Sequence, residues 1–342
     1  MTRISSALCL AVLVAVGITG GATAQESNFY AGKQVRLIVG TGVGGGYDTY
    51  ARLVARFMPK YIPGEPNIIV QSMPGASGAT AVSYLYAQAP RDGLVIATFN
   101  SSMPFYQAIG QPGTRFKSDE LSWIGNMSQG AAIFVLWHTT GVRTVAEARQ
   151  REIIMGGTGS GGSSSAMPVL LNSTLGTKFK VVSGYKTGQE VDLAMERGEV
   201  QGRGSMSWAS IKGVHPDWVT DKKLIPFFQI GLKKEPDLPD APLLIDLAEN
   251  DEQREIFRFV SASSNMERPY AGPPAIPADR LAIIRQAFMV MTKDAGFLAA
   301  IAEQNLELDP LPGEETAKIA ASIVGAAPAI IEKTKAAMSV KD

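Results

Sequence analysis

The sequence predicts an α/β protein built as two sheet-and-helix lobes. Three observations carry this. The first half alternates short apolar runs with amphipathic segments, which is the rhythm of a parallel sheet with crossover helices. Glycine-rich turns stand where strands run into helices. The same strand, turn and helix order then returns after residue 150, following a Trp-rich change of character at 123–137. The chain is 342 residues long, suited to two domains, and 45% of it is hydrophobic, enough for substantial cores. Its 32 basic residues balance 32 acidic ones, which argues against a nucleic-acid partner or a polybasic membrane surface.

Taken in order, Arg3 opens a short positive region, 7–18 is apolar, and Ala22-Thr23-Ala24 precedes Gln25. This is the pattern of a secretory signal over residues 1–24, with small residues at the cleavage site. The exported chain is expected to begin at Gln25. Cys9, the one cysteine in the sequence, would leave with the signal, so neither a disulfide nor a thiol nucleophile is expected.

The first strand is expected at 33–39 and its helix at 47–60, joined by Gly40-Thr41-Gly42-Val43-Gly44-Gly45-Gly46-Tyr47-Asp48. A helix entered through glycines presents free backbone N–H groups and the positive end of its dipole, a setting for anions. Gly40-x-Gly42-x-x-Gly45 has the dinucleotide spacing, but the strand at 67–71 ends without the acid that would hold a ribose. A nucleotide-phosphate loop would need Gly-Lys-Ser/Thr where the chain reads Gly46-Tyr47-Asp48. A small-anion cradle and a plain structural turn remain open. Asp48, in the first helical turn, is expected to cap rather than to meet an anion.

Met73-Pro74-Gly75-Ala76-Ser77-Gly78 repeats the design ahead of a helix at 79–88, and a strand follows at 93–98. Ligands of open α/β sheets lie at the carboxyl edge where such loops gather. Strands are expected at 123–127 and 131–137, a helix at 144–149 and a strand at 153–155. A Gly/Ser tract over 156–165 then leads into a helix at 166–175. Flanked by strand and helix, that tract reads as a third cradle with hydroxyl donors rather than a linker. A strand at 178–182, a turn at 185–188, a helix at 189–197 and a strand at 200–203 follow. Arg203, at the carboxyl end of that last strand, is expected to offer its planar fork to a second ligand carboxylate; a surface pair with Glu199 is the alternative. Beyond it come a strand at 224–230 and helices at 251–260, 278–292 and 314–338.

Catalysis finds little support. His138 and His215 are the only histidines, and no serine occupies a Gly-x-Ser-x-Gly elbow. No catalytic residue, metal or cofactor is expected.

Six stretches in this order resemble the Bug-type periplasmic solute-binding proteins of tripartite tricarboxylate transporters. They are Gly44-Gly45-Gly46-Tyr47-Asp48, Met73-Pro74-Gly75-Ala76-Ser77-Gly78, Ala89-Pro90-Arg91-Asp92-Gly93, Gly157-Thr158-Gly159-Ser160-Gly161, Gly184-Tyr185-Lys186-Thr187-Gly188 and Arg197-Gly198-Glu199-Val200. The resemblance implies a monomeric clamp of the type II periplasmic kind. Its first lobe would comprise 25–125 completed by 266–342, and its second lobe 126–265. It also implies a small organic acid as ligand and membrane permease subunits as partners. The first-lobe contacts it implies are Gly44, Gly45, Gly46, Tyr47, Gly75, Ala76, Ser77 and Gly78. Those of the second lobe are Thr158, Gly159, Ser160, Gly161, Gly162, Ser163, Tyr185 and Gly188. The chain departs from the family at three places. Tyr47 stands where a small hydroxyl residue is common, serines and alanine replace a histidine after the second-lobe Gly-Ser turn, and Arg203 and Ser205 stand near the place of an acid. A sensor subunit serving a membrane kinase would use the same clamp, so that reading stays open.

Overall fold

The computed structural model describes residues 29–159, 162–185 and 187–338. The signal expected at 1–24 and the start at Gln25 lie outside the described residues. Eleven strands are present among those described: β1 (Gln34–Val39), β2 (Asn67–Ser72), β3 (Val95–Thr98), β4 (Ser122–Asn126), β5 (Ala132–Trp137), β6 (Ile153–Gly157), β7 (Phe179–Ser183), β8 (Gly202–Ser207), β9 (Leu224–Ile230), β10 (Pro269–Gly272) and β11 (Leu311–Pro312). They form two sheets, ordered β11-β4-β10-β3-β1-β2 and β7-β6-β8-β5-β9.

The two sheets follow one plan. β1 runs parallel to β2 and β3, and β6 runs parallel to β7 and β8. An antiparallel strand is inserted in each, β10 between β3 and β4, and β5 between β8 and β9. The central β1 buries both faces of Leu37, Ile38 and Val39, which is why it reads as an apolar run instead of alternating. Parallel strands demand crossovers, supplied by the helices Gly46–Phe57 and Ala79–Ala87 in the first lobe and Ser163–Leu175 and Gly188–Glu196 in the second. Each helix begins at the carboxyl end of a strand, so all four N-termini point toward the space between the lobes.

The chain leaves the first sheet after Asn126 and re-enters it at Pro269. Buried Asn126 stitches these two crossings together: its Nδ2 donates to the Ser128 carbonyl (2.7 Å) and its Oδ1 accepts from the Arg268 backbone N–H (2.8 Å).

Two segments differ from the sequence-based expectation. The strand expected at 200–203 is β8, at Gly202–Ser207. Glycines and serines give it little β propensity, but they let the helix Ser163–Leu175 lie close; a methyl on Gly204 would sit 2.5 Å from Pro168 Cδ. The helix expected at 314–338 is two, Gly313–Val324 and Pro328–Met338, because Pro328 can begin a helix but cannot continue one. The first buries Thr316, Ala320 and Ile323 against the first lobe. The second turns back onto the second lobe, where Ser173 Oγ donates to the Ala337 carbonyl and Lys333 pairs with Glu252 at 2.6 Å. Residues 328–338 therefore pack on the lobe opposite to the one expected for 266–342.

Gly125 in β4 lets Phe288 reach the sheet: a methyl there would lie 2.6 Å from Phe288 Cδ1 and 3.0 Å from the Leu311 carbonyl oxygen. Gly125→Ala is expected to destabilise the fold by about 1–3 kcal/mol through overpacking. Phe288→Leu in the same chain is expected to restore part of that. Urea unfolding checks both, and an undiminished midpoint in the single variant would contradict this packing.

Candidate functional site

A cavity of about 660 Å³ opens between the lobes, lined by residues of both. Strand-to-helix loops after β1, β2, β6 and β7, with the loop after β3, contribute to its polar wall.

In the first loop the glycines have three different jobs. Gly44 has φ +83°, a left-handed conformation that side chains resist. Its N–H donates to Asp48 Oδ2 at 3.1 Å, and Arg52 Nε donates to the same oxygen at 2.8 Å. Asp48 is thus buried and absent from the cavity wall, but it accepts from Gly44, ahead of the helix, and does not cap the helix N-terminus. Gly45 has φ −84° and a methyl there would meet nothing closer than 3.8 Å, so its bareness serves the cavity and not the backbone. Gly46 faces the other lobe: a methyl would lie 2.8 Å from Ser210 Oγ and 3.1 Å from Arg268 Nη2.

The second loop is strained. Gly75, Ala76, Ser77 and Gly78 all have positive φ, at 137°, 45°, 56° and 103°. Left-handed conformation costs an ordinary residue about 1–2 kcal/mol, and strain of this kind persists where the surroundings enforce it. A turn of this type gathers successive backbone N–H groups into a concavity suited to an anion. The helices that begin after Gly45, Gly78 and Gly162 have no side-chain cap, so their first N–H groups lack an intrahelical acceptor at the cavity. Thr187 does cap its helix, accepting from Glu190 N at 3.3 Å.

Gly45, Gly46, Tyr47, Gly75, Ala76, Ser77, Gly78, Thr158, Gly162, Ser163, Gly188 and Arg203 line the cavity. Gly44, Gly159 and Tyr185 do not. Gly44 is drawn aside by its bond to Asp48; Gly159 (φ +140°) shapes the turn; Tyr185 packs against the apolar core of the second lobe. Ser160 and Gly161 are outside the described residues.

Arg203 already holds an acid of its own, through Nη1, while its Nε is without a partner among the described residues. Its Nη1 lies 2.9 Å from Asp192 Oδ1, whose other oxygen is 3.3 Å from His215 Nε2. Glu199 pairs instead with Arg197 at 3.8 Å. Asp192 sits one helical turn after Gly188, where a bare α-carbon lets the guanidinium lie; a methyl on Gly188 would be 2.9 Å from Arg203 Cζ. His215, between the helices Trp208–Val214 and Pro216–Thr220, stacks on Trp218 with ring centres 3.8 Å apart and also lines the cavity.

The residue that sequence reasoning missed is Arg268, 3% exposed. Its Nη1 lies 3.1 Å from Glu267 Oε1, and its Nη2 donates to Ser207 Oγ (3.1 Å) and Ser210 Oγ (2.8 Å) on the second lobe. Its guanidinium lies over Tyr47, 4.6 Å from the ring centre, and near Tyr50 at 5.5 Å. Tyr47 in turn donates to the Glu267 carbonyl (3.0 Å) and accepts from the Ser101 N–H (3.2 Å). Burial pushes the Tyr47 phenol up, so it stays a donor. The Tyr106 phenol on the adjoining wall is pushed up to about 12 by burial. Nothing in Glu267-Arg268-Pro269 distinguishes a buried arginine from a surface one; only the aromatic at Tyr47 hinted at a cationic partner.

The architecture defines a two-lobed periplasmic binding-protein fold of the type II kind. More narrowly, it is similar to the folds of TctC and Bug-type periplasmic binding proteins. A TctC solute-binding protein from Polaromonas superposes with a TM-score of 0.62 at 19% identity, covering 89% of this chain and 99% of that one. The periplasmic binding protein BugD gives 0.69 at 16% identity, covering 90% and 98%. A Rhodopseudomonas palustris protein solved with adipate gives 0.67 at 15% identity, covering 89% and 97%. A curated relative, the UPF0065 protein in the TAR-I ttuE-ttuC' intergenic region of Agrobacterium vitis, is 26% identical over 213 residues. That match covers 58% of this chain and 60% of the relative's length. No family profile matches the chain.

Removing the Arg268 charge leaves Glu267 buried and unpaired. Arg268→Met is expected to destabilise the protein by about 3 kcal/mol or more, and Glu267→Gln in the same chain to recover a large part of that loss. Denaturant unfolding of both single variants and the double checks this; additive losses would contradict it.

Proposed function

We propose that this protein is an exported solute-binding receptor that captures a small carboxylate-containing ligand between its lobes and delivers it, unchanged, to a membrane permease. The observation that carries the reading is the convergence of three uncapped helix N-termini and the left-handed 75–78 loop on one interlobe cavity. Backbone N–H groups and helix dipoles favour an anion, each helix end contributing typically 0.3–1 kcal/mol. Many such donors must act together, and the cavity encloses the ligand so that they can. The solved relatives of this fold are solute-binding proteins, and adipate in one of them supports an organic acid here. The signal pattern at 1–24 supports a periplasmic location, where the receptor would meet its permease as a monomer.

Gly45 is bare toward the cavity without a conformational need for glycine. Gly45→Val should therefore fold normally yet weaken carboxylate binding by about tenfold or more, whereas Ser163→Ala should change it by less. Calorimetric titration with a panel of mono- and dicarboxylates checks the ranking. Equal losses, or a larger loss from Ser163→Ala, would reject the backbone cradle.

A further inference from the structure

The cavity wall is electrically balanced. Among the described residues its charged side chains are Asp192 and Glu267 against Arg203 and Arg268, with His215 beside Asp192. Each arginine is already met by an acid, Arg203 by Asp192 at 2.9 Å and Arg268 by Glu267 at 3.1 Å. Arg268 is further occupied by Ser207 and Ser210. Arg203 uses only Nη1 for Asp192 and the Gly188 carbonyl, and its Nε has no partner among the described residues. Its charge is nonetheless balanced by Asp192, so a second ligand carboxylate would either displace a buried acid or add an uncompensated negative charge to the wall. Either course costs several kcal/mol. The first carboxylate needs no cation, because the helix ends and glycine loops provide for one negative charge.

One part of the wall is apolar, although serines, Asn100 and Gln189 line other parts. Phe105, Met167, Ile230 and Val260 line the cavity and belong to one continuous buried cluster, and Met338 of the last helix packs against it. Phe105 comes from the first lobe, and Met338 from the helix that turns back onto the second. A ligand that fills this space buries a hydrophobic body there, at about 25 cal/mol for each Å² removed from water.

We propose that the ligand is a monocarboxylate with an apolar body, and that the Asp192–Arg203 pair excludes dicarboxylates and tricarboxylates. This rests on the receptor reading above. It separates this protein from the relative that holds adipate, a diacid, on the same fold.

Matched acids test it on the intact protein by titration calorimetry: hexanoate against adipate, and 4-methylbenzoate against terephthalate. In whichever pair binds, the monoacid is expected to be tighter by about tenfold or more, equivalent to about 1.4 kcal/mol. A diacid that binds as tightly as its monoacid, or more tightly, would overturn the proposal. Lys186 lies outside the described residues, and a diacid preference that disappears in Lys186→Ala would overturn it through that side chain. If no acid of the panel binds, the receptor reading itself fails and the preference with it. Asp192→Asn frees Arg203 and is expected to narrow the gap between hexanoate and adipate by about tenfold. A gap unchanged in that variant would overturn the role given to the pair.

Discussion

The contact on which the site depends is the buried guanidinium of Arg268. It rises from the segment where the chain re-enters the first sheet, pairs with its neighbour Glu267, lies over Tyr47 and reaches two serines of the second lobe. One side chain thereby joins the return crossing, the first glycine loop and the start of the helix Trp208–Val214. A buried ion pair gives little net stability compared with apolar residues of the same shape, but breaking it is expensive. Its effect is to fix one arrangement of the lobes. Gly46 follows from it, since a side chain there would collide with Arg268 and Ser210. Two further glycines act in the same way across the cleft: a methyl on Gly42 would touch Thr187, and one on Gly162 would lie 2.9 Å from Ser77 Oγ. The glycines of this cleft serve close approach of the lobes as much as approach of a ligand.

Charge neutrality of the wall then shapes recognition. With the charge of both arginines balanced by acids, the positive potential left for an anion comes chiefly from the ends of helices and the strained 75–78 loop. These are fixed dipoles, already oriented before the ligand arrives, so little reorganisation opposes binding. The same arrangement links binding to motion, because donors from both lobes reach one ligand only when the lobes are together. Asn126, bonded to both crossings, ties the two connections together near the expected axis of that movement.

Much of the fold was legible because its signals are local. Apolar runs gave β1, β2, β5 and β9 nearly to the residue, and the glycine turns gave the cavity loops, since backbone geometry demands glycine at Gly44, Gly75 and Gly78 whatever surrounds them. Asp48 was legible as an acid that stays out of the cavity, but not as the partner of Gly44 and Arg52 in place of a cap. What stayed hidden depends on contacts distant in sequence. β8 was expected at 200–203, and its continuation to Ser207 was hidden because glycines and serines carry little strand signal; pairing with β5 and β6 holds it. Arg203 was expected at the carboxyl end of its strand but is the second residue of β8, and its partner is Asp192, an acid on a helix. Arg268 is written no differently from a surface arginine, and Pro328 turned the last helix toward the lobe that sequence order alone would not assign.

The central claim is that the lobes close on an acid and that the Arg268 contacts belong to the closed state. Val43, 66% exposed on the first glycine loop, and Leu193, 48% exposed on the helix Gly188–Glu196, stand on opposite lobes. Spin labels on cysteines at these two positions, in a Cys9→Ser background, report the span of the cleft by pulsed electron resonance. A single short, narrow distance with saturating hexanoate, replaced by a longer and broader distribution without it, is the predicted result. Distributions that coincide with and without acid, for a protein that calorimetry shows to bind it, would contradict the account.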